Sequence, residues 1–466
     1  GSSSRRAGAN FFRAGGESPM KPQMRSAGSS LPAMISESSE PLLSSGQPRT
    51  KLQQRAATFA VRQASGEKLF SHAAIWQLNR KNRNGNVKAI KAMFINPFSL
   101  LLVCFPLGIV AAKSGWGAMW TFWLNFVALI PLAKLLGDAT EELDATLGSE
   151  ILSGLINATF GNAVEMIITI NALRAGLTEV VKTSLLGSVL SNMLLVLGMS
   201  FFFGGILSPS KKGTSYSLVS EKEQTFIAGG AMCNVSMLLL SCMSFTLPTI
   251  FNNEGHEEYI LELSRSGAVI VLVTYIAFLI FQLVTHRKML SESGDGEEGA
   301  VKEESEEEDE GPPMQLWLSG VILFSATICT AVSSEYLVGA VEEVVASSPL
   351  SEAFIGVILL PIVGNACEHM AAVRFAVQDR PGLAIGIAIG SSTQIALFVV
   401  PFSVLVAWAM GVNMTMDFGN LNTSVMTLSV IMLLSVVLDG RANWLEGFML
   451  MAAYVFIGVM YWFVTE

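Results

Sequence analysis

From Asn96 to the end of the chain, long apolar runs follow one another with only short polar breaks between them. They fall near 97–112, 117–136, 149–173, 179–206, 225–248, 264–284, 314–333, 351–377, 383–411, 422–438 and 442–463. Most reach the roughly 20 residues an α-helix needs to cross a bilayer, with 97–112 and 422–438 near the short limit. In hydrocarbon, backbone polar groups must be satisfied within the spanning element itself, which restricts the choice to helices or closed barrels. Runs of this length predict helices. The pattern predicts an all-α polytopic membrane protein of eleven transmembrane helices: one leading helix, then two groups of five. Five is odd, so the second group enters the membrane from the opposite side and the two repeats are inverted, the architecture of secondary transporters.

The segments before and between the runs differ in character. Residues 1–66 are rich in Ser, Gly, Arg and Gln and read as a disordered cytosolic tail. Residues 67–94 combine Leu69, Phe70, Ile75 and Trp76 with Lys and Arg, as a basic interfacial segment would. The remaining boundaries are 95–113 for the leading helix, 114–290 for the first repeat and 314–466 for the second, joined by 291–313. That joining segment holds an almost unbroken acidic run, Glu303–Glu310, and reads as a solvated cytosolic linker, or alternatively as a collector of cations. With the amino terminus inside, Arg80, Lys81, Arg83, Lys88, Lys91, Lys211, Lys212, Lys222, Arg287, Lys288, Arg374, Arg380 and Arg441 share one side. Only Lys113, Arg174, Lys182 and Arg265 lie on the other, so the bias predicts a cytosolic amino terminus and a carboxyl terminus facing a lumen.

Within the runs, two polar pentapeptides stand out: Gly161-Asn162-Ala163-Val164-Glu165 and Gly364-Asn365-Ala366-Cys367-Glu368. A carboxylate at mid-membrane costs about 2.5–3.5 kcal/mol on insertion scales, so each is a functional candidate. The copies register at a constant offset of 203, without a gap, as far as Gly198 and Pro401. In that frame Gly187-Ser188 falls on Gly390-Ser391, and each serine follows its glutamate by 23 residues. Gly161 and Asn162 weaken the helix just before Glu165, as Pro361 and Gly364 do before Glu368. Backbone broken at membrane depth is tolerated where it lines a cavity or binds an ion. Carboxylate, amide, hydroxyl and carbonyl oxygens suit a hard divalent cation such as Ca²⁺. Ser188, Ser191, Ser391 and Ser392 could supply the hydroxyls, or serve only to let helices approach closely. Gln394 falls in the frame of Ser191.

The apolar runs offer Glu165 and Glu368 no basic partner apart from His369. Two carboxylates sharing one site repel each other, and either a proton or a divalent cation relieves that repulsion. Competition for the same oxygens is the minimal chemistry of an antiporter.

Composition agrees with a lipid-immersed chain: 51% of residues are hydrophobic and 14% charged, against roughly 25% charged for a soluble domain. The net charge of −9 is unevenly spread, residues 1–91 carrying +11 and the remainder −20. The five cysteines sit in apolar segments without paired spacing and read as small hydrophobes, with no disulfide framework or zinc site. No paired-His motif or Ser/His/Asp arrangement marks an enzyme, and no cofactor or nucleic acid is expected. A channel could use the same carboxylates, but an inverted duplication with broken helices favours alternating access.

Leu135–Leu143, Asn157–Glu165, Leu185–Gly198 and Gly364–His369 together resemble the calcium/proton exchangers of the Ca²⁺/cation antiporter superfamily. The resemblance covers roughly 95–466. It implies a proton-coupled antiporter for Ca²⁺ or other divalent cations, working from cytosol into an acidic compartment across a vacuolar membrane. It implies ligands at Gly161, Glu165, Ser188, Asn365, Glu368, Ser391 and Gln394. Glu165, Glu368 and His369 would couple to protons, with Asn162, Ser191, Gly364 and Ser392 in support. The transported Ca²⁺ and H⁺ and the bilayer are then the expected partners, and a homo-oligomer is compatible with this reading. A sodium-coupled relative would be expected to show Gly-Ser-x-x-Pro-Glu, absent here. The Arg- and Ser-rich start also fits a transit peptide, which would place the chain in another organelle.

Overall fold

A computed structural model describes residues 85–147, 150–209, 216–218, 221–286 and 314–464. The expectations for 1–84 and for the whole acidic linker, 291–313, lie outside these residues. The helices, in chain order, are α1 (Gly85–Phe94), α2 (Pro97–Ser114), α3 (Ala118–Leu147), α4 (Glu150–Phe160), α5 (Ala163–Arg174), α6 (Thr178–Ile206) and α7 (Ala228–Asn253). They continue with α8 (Glu257–Thr285), α9 (Leu316–Ser347), α10 (Glu352–Gly364), α11 (Ala366–Val377), α12 (Pro381–Met410), α13 (Gly419–Val437) and α14 (Trp444–Phe463). Among the described residues nine of these are long and apolar enough to cross a membrane alone. Counted as one span, the bent pair α10–α11, with a 58° angle between its halves, brings the number to ten. The pair α4–α5 breaks at Gly161-Asn162, the point that the offset of 203 carries onto Gly364-Asn365. Half-helices α5 and α11 begin and end at matching positions. The fold is the one read from the sequence: a leading helix and two inverted groups of five.

Two short antiparallel strand pairs interrupt the helices, Leu207–Pro209 with Tyr216–Leu218 and Gln224–Thr225 with Arg441–Ala442. The second pair ties the start of α7 to the start of α14. α3 runs eleven residues past the predicted end of its apolar run, because Ala139, Glu141, Glu142, Leu143 and Ala145 are good helix formers that carry the helix on into water. Its far end is anchored across the repeats: Glu142 accepts from the Met314 amide at 2.8 Å, and the Thr146 hydroxyl donates to the Met314 carbonyl at 2.8 Å. α1 buries Ala89 and Met93 and clamps onto Gln315 through two reciprocal 2.9 Å bonds from Asn86.

The repeats hold together by close packing and a few interhelical polar contacts, as expected where lipid removes most of the hydrophobic drive for helix association. α3 and α9 pack along their lengths, with the buried Ser333 hydroxyl donating to Asn125 Oδ1 at 3.0 Å. Asn171 on α5 donates to Ser334 at 2.6 Å and to the Ala331 carbonyl at 3.0 Å. Large apolar side chains such as Ile270, Phe324, Leu428 and Phe456 point outward, which suits a surface facing acyl chains. All five cysteines are free. Cys242 alone is fully buried, while Cys104, Cys233, Cys329 and Cys367 are half-buried, so the small-hydrophobe reading holds in full only for Cys242.

Candidate functional site

Each glutamate of the duplicated pentapeptide sits in the first turn of a half-helix, Glu165 in α5 and Glu368 in α11. The preceding asparagine is the break itself: Asn162 has φ −108° and ψ 22°, Asn365 φ −89° and ψ 16°. The unpaired amides and aligned dipole at a helix start favour negative charge there. This partly offsets the desolvation of each carboxylate.

The breaks cross over to the opposite repeat. Asn365 donates to the Ser188 carbonyl on α6 at 3.2 Å, and Asn162 donates to Gln394 Oε1 on α12 at 2.7 Å. Gly364 lies against Glu165: a Cβ at that glycine would stand 3.0 Å from Glu165 Oε1. Glu165 Oε2, Glu368 Oε2 and Asn365 Oδ1 are buried without a hydrogen-bond partner. Three buried oxygens of ligand-type side chains are thus left without a protein partner, and a proton or a cation has the chemistry to satisfy them.

A cavity of about 510 Å³ leads to this point. Glu368, Ser391, Gln394, Gly161 and Gly364 line its deep end, and Glu141, Asp144, Ile227, Gln282 and Leu383 its outer part. The outer residues belong to the ends of α3 and α8 and the starts of α7 and α12. Those ends all lie on the side of the bundle where the sequence concentrates Lys and Arg. Glu165 does not line this cavity. It faces a separate chamber of about 10 Å³, shared with Ile168, Ser184, Ser188 and Gly364.

The residues expected from the sequence therefore divide. Gly161, Glu368, Ser391 and Gln394 line the open cavity, Glu165 and Ser188 the closed chamber, and Gly364 both. Asn162 and Asn365 brace the breaks. Ser392 is turned away, donating to the Ala388 carbonyl at 2.9 Å, which fits the helix-packing role. Ser191 is wholly buried next to the Tyr454 hydroxyl and lines neither space.

His369 places Nδ1 at 2.5 Å from the Asn365 carbonyl, so Nδ1 carries the donated proton and Nε2 is left unpartnered. The ring is tied to the break beside Glu368 and is absent from the cavity lining. His369→Ala is expected to shift the pH dependence or ion selectivity of transport while leaving measurable flux. Complete loss at normal expression would instead make the ring indispensable.

Three features were not read from the sequence. One-turn π-helices at Ser191–Val196 and Ile395–Val399 follow the serines of α6 and α12 at matching positions. Such turns are common at functional sites but carry no composition signal. Asn192 is wholly buried with both amide atoms unpartnered, and a lone Asn in an apolar run was a signal in plain view. Ser184 lies one turn before Ser188 on the same face. Among the described residues no group of three or more His, Cys, Asp or Glu side chains converges. Any cation here would be held by two carboxylates and neutral oxygens, a set suited to Ca²⁺ and unlike a zinc site.

Inverted five-helix repeats meeting at two broken helices, each with a carboxylate at the break, define a secondary transporter of the exchanger class. The sodium/calcium exchanger protein family matches at residues 117–284 and 318–463, one match to each repeat, and the chain belongs to that family. It is 36% identical over 397 residues to the vacuolar calcium ion transporter of Schizosaccharomyces pombe, covering 85% of this chain and 92% of the relative. It is 39% identical over 375 residues to the Ca²⁺/H⁺ antiporter of a Synechocystis species, covering 78% of this chain and 97% of that one. Among solved structures, native YfkE aligns with a TM-score of 0.65 at 33% identity, over 79% of this chain and all of that one.

Proposed function

We propose that the protein is a proton-coupled antiporter that moves Ca²⁺ from the cytosol into an acidic compartment by alternating access. The observation that carries this reading is the pair of half-helix carboxylates with unpartnered oxygens, one at the end of an open cavity and one in a closed chamber. Its relatives are exchangers by name, and those at 36–39% identity are called calcium transporters or cation/proton exchangers. Coupling to protons is therefore favoured over coupling to sodium. The ligands we assign are Gly161, Glu165, Ser188, Asn365, Glu368, Ser391 and Gln394, with Glu165 and Glu368 also carrying protons. The vacuolar names of the relatives and the Lys/Arg bias support a vacuolar membrane with the cavity open to the cytosol.

Glu141 and Asp144 at the cavity mouth would attract a divalent cation. Deeper in, carboxylate, amide and hydroxyl oxygens replace its water. Because Ca²⁺ and H⁺ compete for the same carboxylates, each lowers the affinity of the other by the same factor. Apparent Ca²⁺ affinity is expected to fall as cytosolic pH falls, since protons then occupy the oxygens, and Ca²⁺ binding to purified protein is expected to release protons. The test is ⁴⁵Ca²⁺ uptake by purified protein in liposomes with the pH gradient and the cation varied independently. Uptake that ignores the pH gradient, or an affinity flat with pH, would overturn the coupling.

A further inference from the structure

The two half-helices that carry Glu165 and Glu368 end in the same backbone cap. At the end of α5 the Leu177 amide donates to the Ala172 carbonyl at 2.9 Å, and the Gly176 amide to the Leu173 carbonyl at 3.1 Å. The offset of 203 carries this pattern onto the end of α11, where the Arg380 amide donates to Phe375 at 2.9 Å and the Asp379 amide to Ala376 at 3.1 Å. A cap of this kind needs one residue in the left-handed region, and glycine is the usual choice because it has no Cβ. Gly176 fills that position in the first repeat with φ 81°, whereas Asp379 fills it in the second with φ 65°. A side chain strained in this way persists where its surroundings hold it.

The surroundings that hold Asp379 come from the short stretch Lys222–Gln224. The Lys222 ammonium lies 3.2 Å from Asp379 Oδ1, and Gln224 Nε2 donates to the same oxygen at 3.3 Å. Gln224 Nε2 also donates to the Ala376 carbonyl at 2.8 Å, inside the cap itself. Neither partner is a loose surface group. Gln224 is 2% exposed and seats against Gly204 of α6, where a Cβ would stand 2.3 Å from its Oε1. The Lys222 side chain is 10% exposed and donates to the Leu207 carbonyl, just past α6, at 2.8 Å. Glu221, next to Lys222, is the one other non-glycine residue with positive φ among the described residues, at 59°. The stretch is anchored in turn, through the pairing of Gln224–Thr225 with Arg441–Ala442 and a 2.9 Å bond from the Phe226 amide to the Gly440 carbonyl.

This strap therefore grips the turn between α11, which bears Glu368, and α12, which bears Ser391 and Gln394. Phe226 and Ile227, the residues that follow it, line the same cavity as those three. The matching turn of the first repeat has Gly176 in place of the aspartate and no side chain there to be gripped.

We propose that Lys222 and Gln224 are positioning residues for transport: through Asp379 they hold the α11–α12 turn so that Glu368, Ser391 and Gln394 line the open cavity. The inference rests on the antiporter reading above and adds a control of cation affinity exerted from outside the site. It also accounts for an aspartate where glycine would suit the backbone better. Without the tie a smaller fraction of the protein holds the binding arrangement, and the apparent dissociation constant rises by that factor.

The test compares Lys222→Met, Asp379→Gly and the double variant with the unmodified full-length protein, reconstituted in liposomes. ⁴⁵Ca²⁺ uptake driven by a pH gradient is measured over a range of Ca²⁺ concentrations, and thermal unfolding in detergent is followed in parallel. Each single variant is expected to raise the half-saturating Ca²⁺ concentration about threefold, the scale of one partly buried ion pair, with the maximal rate changed less. The double variant is expected to match the singles, since all three remove the same interaction. Asp379→Gly also relieves the backbone, so its melting temperature is expected to hold or rise while its Ca²⁺ affinity falls. A purely structural role would move both together. Unchanged half-saturation in Asp379→Gly, a double variant showing the product of the two single effects, or a joint fall of melting temperature and affinity in Asp379→Gly would each overturn the proposal. Absence of proton-driven Ca²⁺ uptake in the unmodified protein would instead defeat the functional reading.

Discussion

Glu165→Gln and Glu368→Gln are each expected to abolish Ca²⁺/H⁺ exchange while leaving the protein folded. Glutamine keeps the shape and one oxygen but removes the charge and the capacity to bind a proton. At an effective dielectric of about 20, a unit charge pair 4 Å apart is worth roughly 4 kcal/mol, and a divalent ion doubles that. Relief of the carboxylate's own desolvation takes part of it back. A net loss of about 3 kcal/mol already corresponds to weakening on the order of 100-fold. The coupling suffers more than the affinity, because a neutral amide cannot exchange a cation for a proton. Folding moves the other way. A buried carboxylate without a partner is destabilising, so both variants should melt at or above the wild-type temperature. The two checks, ⁴⁵Ca²⁺ uptake and thermal unfolding in detergent, thus have opposite expected signs. Near-normal uptake in either variant would remove the site assignment, and a large drop in melting temperature would mean that the residue acts structurally.

The fold was legible because the lipid environment simplifies the code. Runs of apolar residues near 20 long mark helices, and the duplicated Gly-Asn-Ala-x-Glu pentapeptide fixed both the repeat offset and the position of each break. The helix end at Leu147 was missed because Glu141, Glu142 and Asp144 look like the end of a span, although charged helix formers let α3 continue into solvent. At the site, residue types were readable from ligand chemistry, but their distribution between two spaces was not. Sequence symmetry makes Glu165 and Glu368 equivalent. The structure breaks that equivalence by placing Glu165 and Ser188 on a small buried space and Glu368 and Ser391 on the large cavity. No residue-level pattern encodes which of two related states is occupied, because the same sequence must support both. The unpartnered Asn192, by contrast, lies within the stretch Leu185–Gly198 that carries the family resemblance, and an amide in so apolar a run is itself a readable signal.

Gly187→Ala and Gly390→Ala are expected to have opposite effects on which side of the membrane the protein faces. The substitutions are chemically identical and occupy matching positions in the repeats, so differences in helix propensity cancel between them. In the arrangement described here, a methyl group at position 187 would meet the Val357 carbonyl at 2.2 Å, a backbone atom that moves only if a helix moves. At position 390 no described residue comes within 4 Å of the same methyl group. Overpacking of this kind typically costs 1–3 kcal/mol. Charged to one conformation only, 1.4 kcal/mol shifts the ratio of the two states about tenfold. Gly187→Ala should therefore depopulate the form whose cavity the cytosol reaches on the proposed orientation, weaken apparent Ca²⁺ affinity from that side, and slow labelling of Ile387→Cys, a cavity-lining position, by a membrane-impermeant methanethiosulfonate reagent added there. By inverted symmetry the clash at position 390 arises when α12 closes, so Gly390→Ala should hold the protein cytosol-open. Cytosolic labelling of Ile387→Cys would then quicken as turnover slows. Equal effects of the two substitutions on cytosolic labelling would show that the contact at Gly187 is not what separates the states.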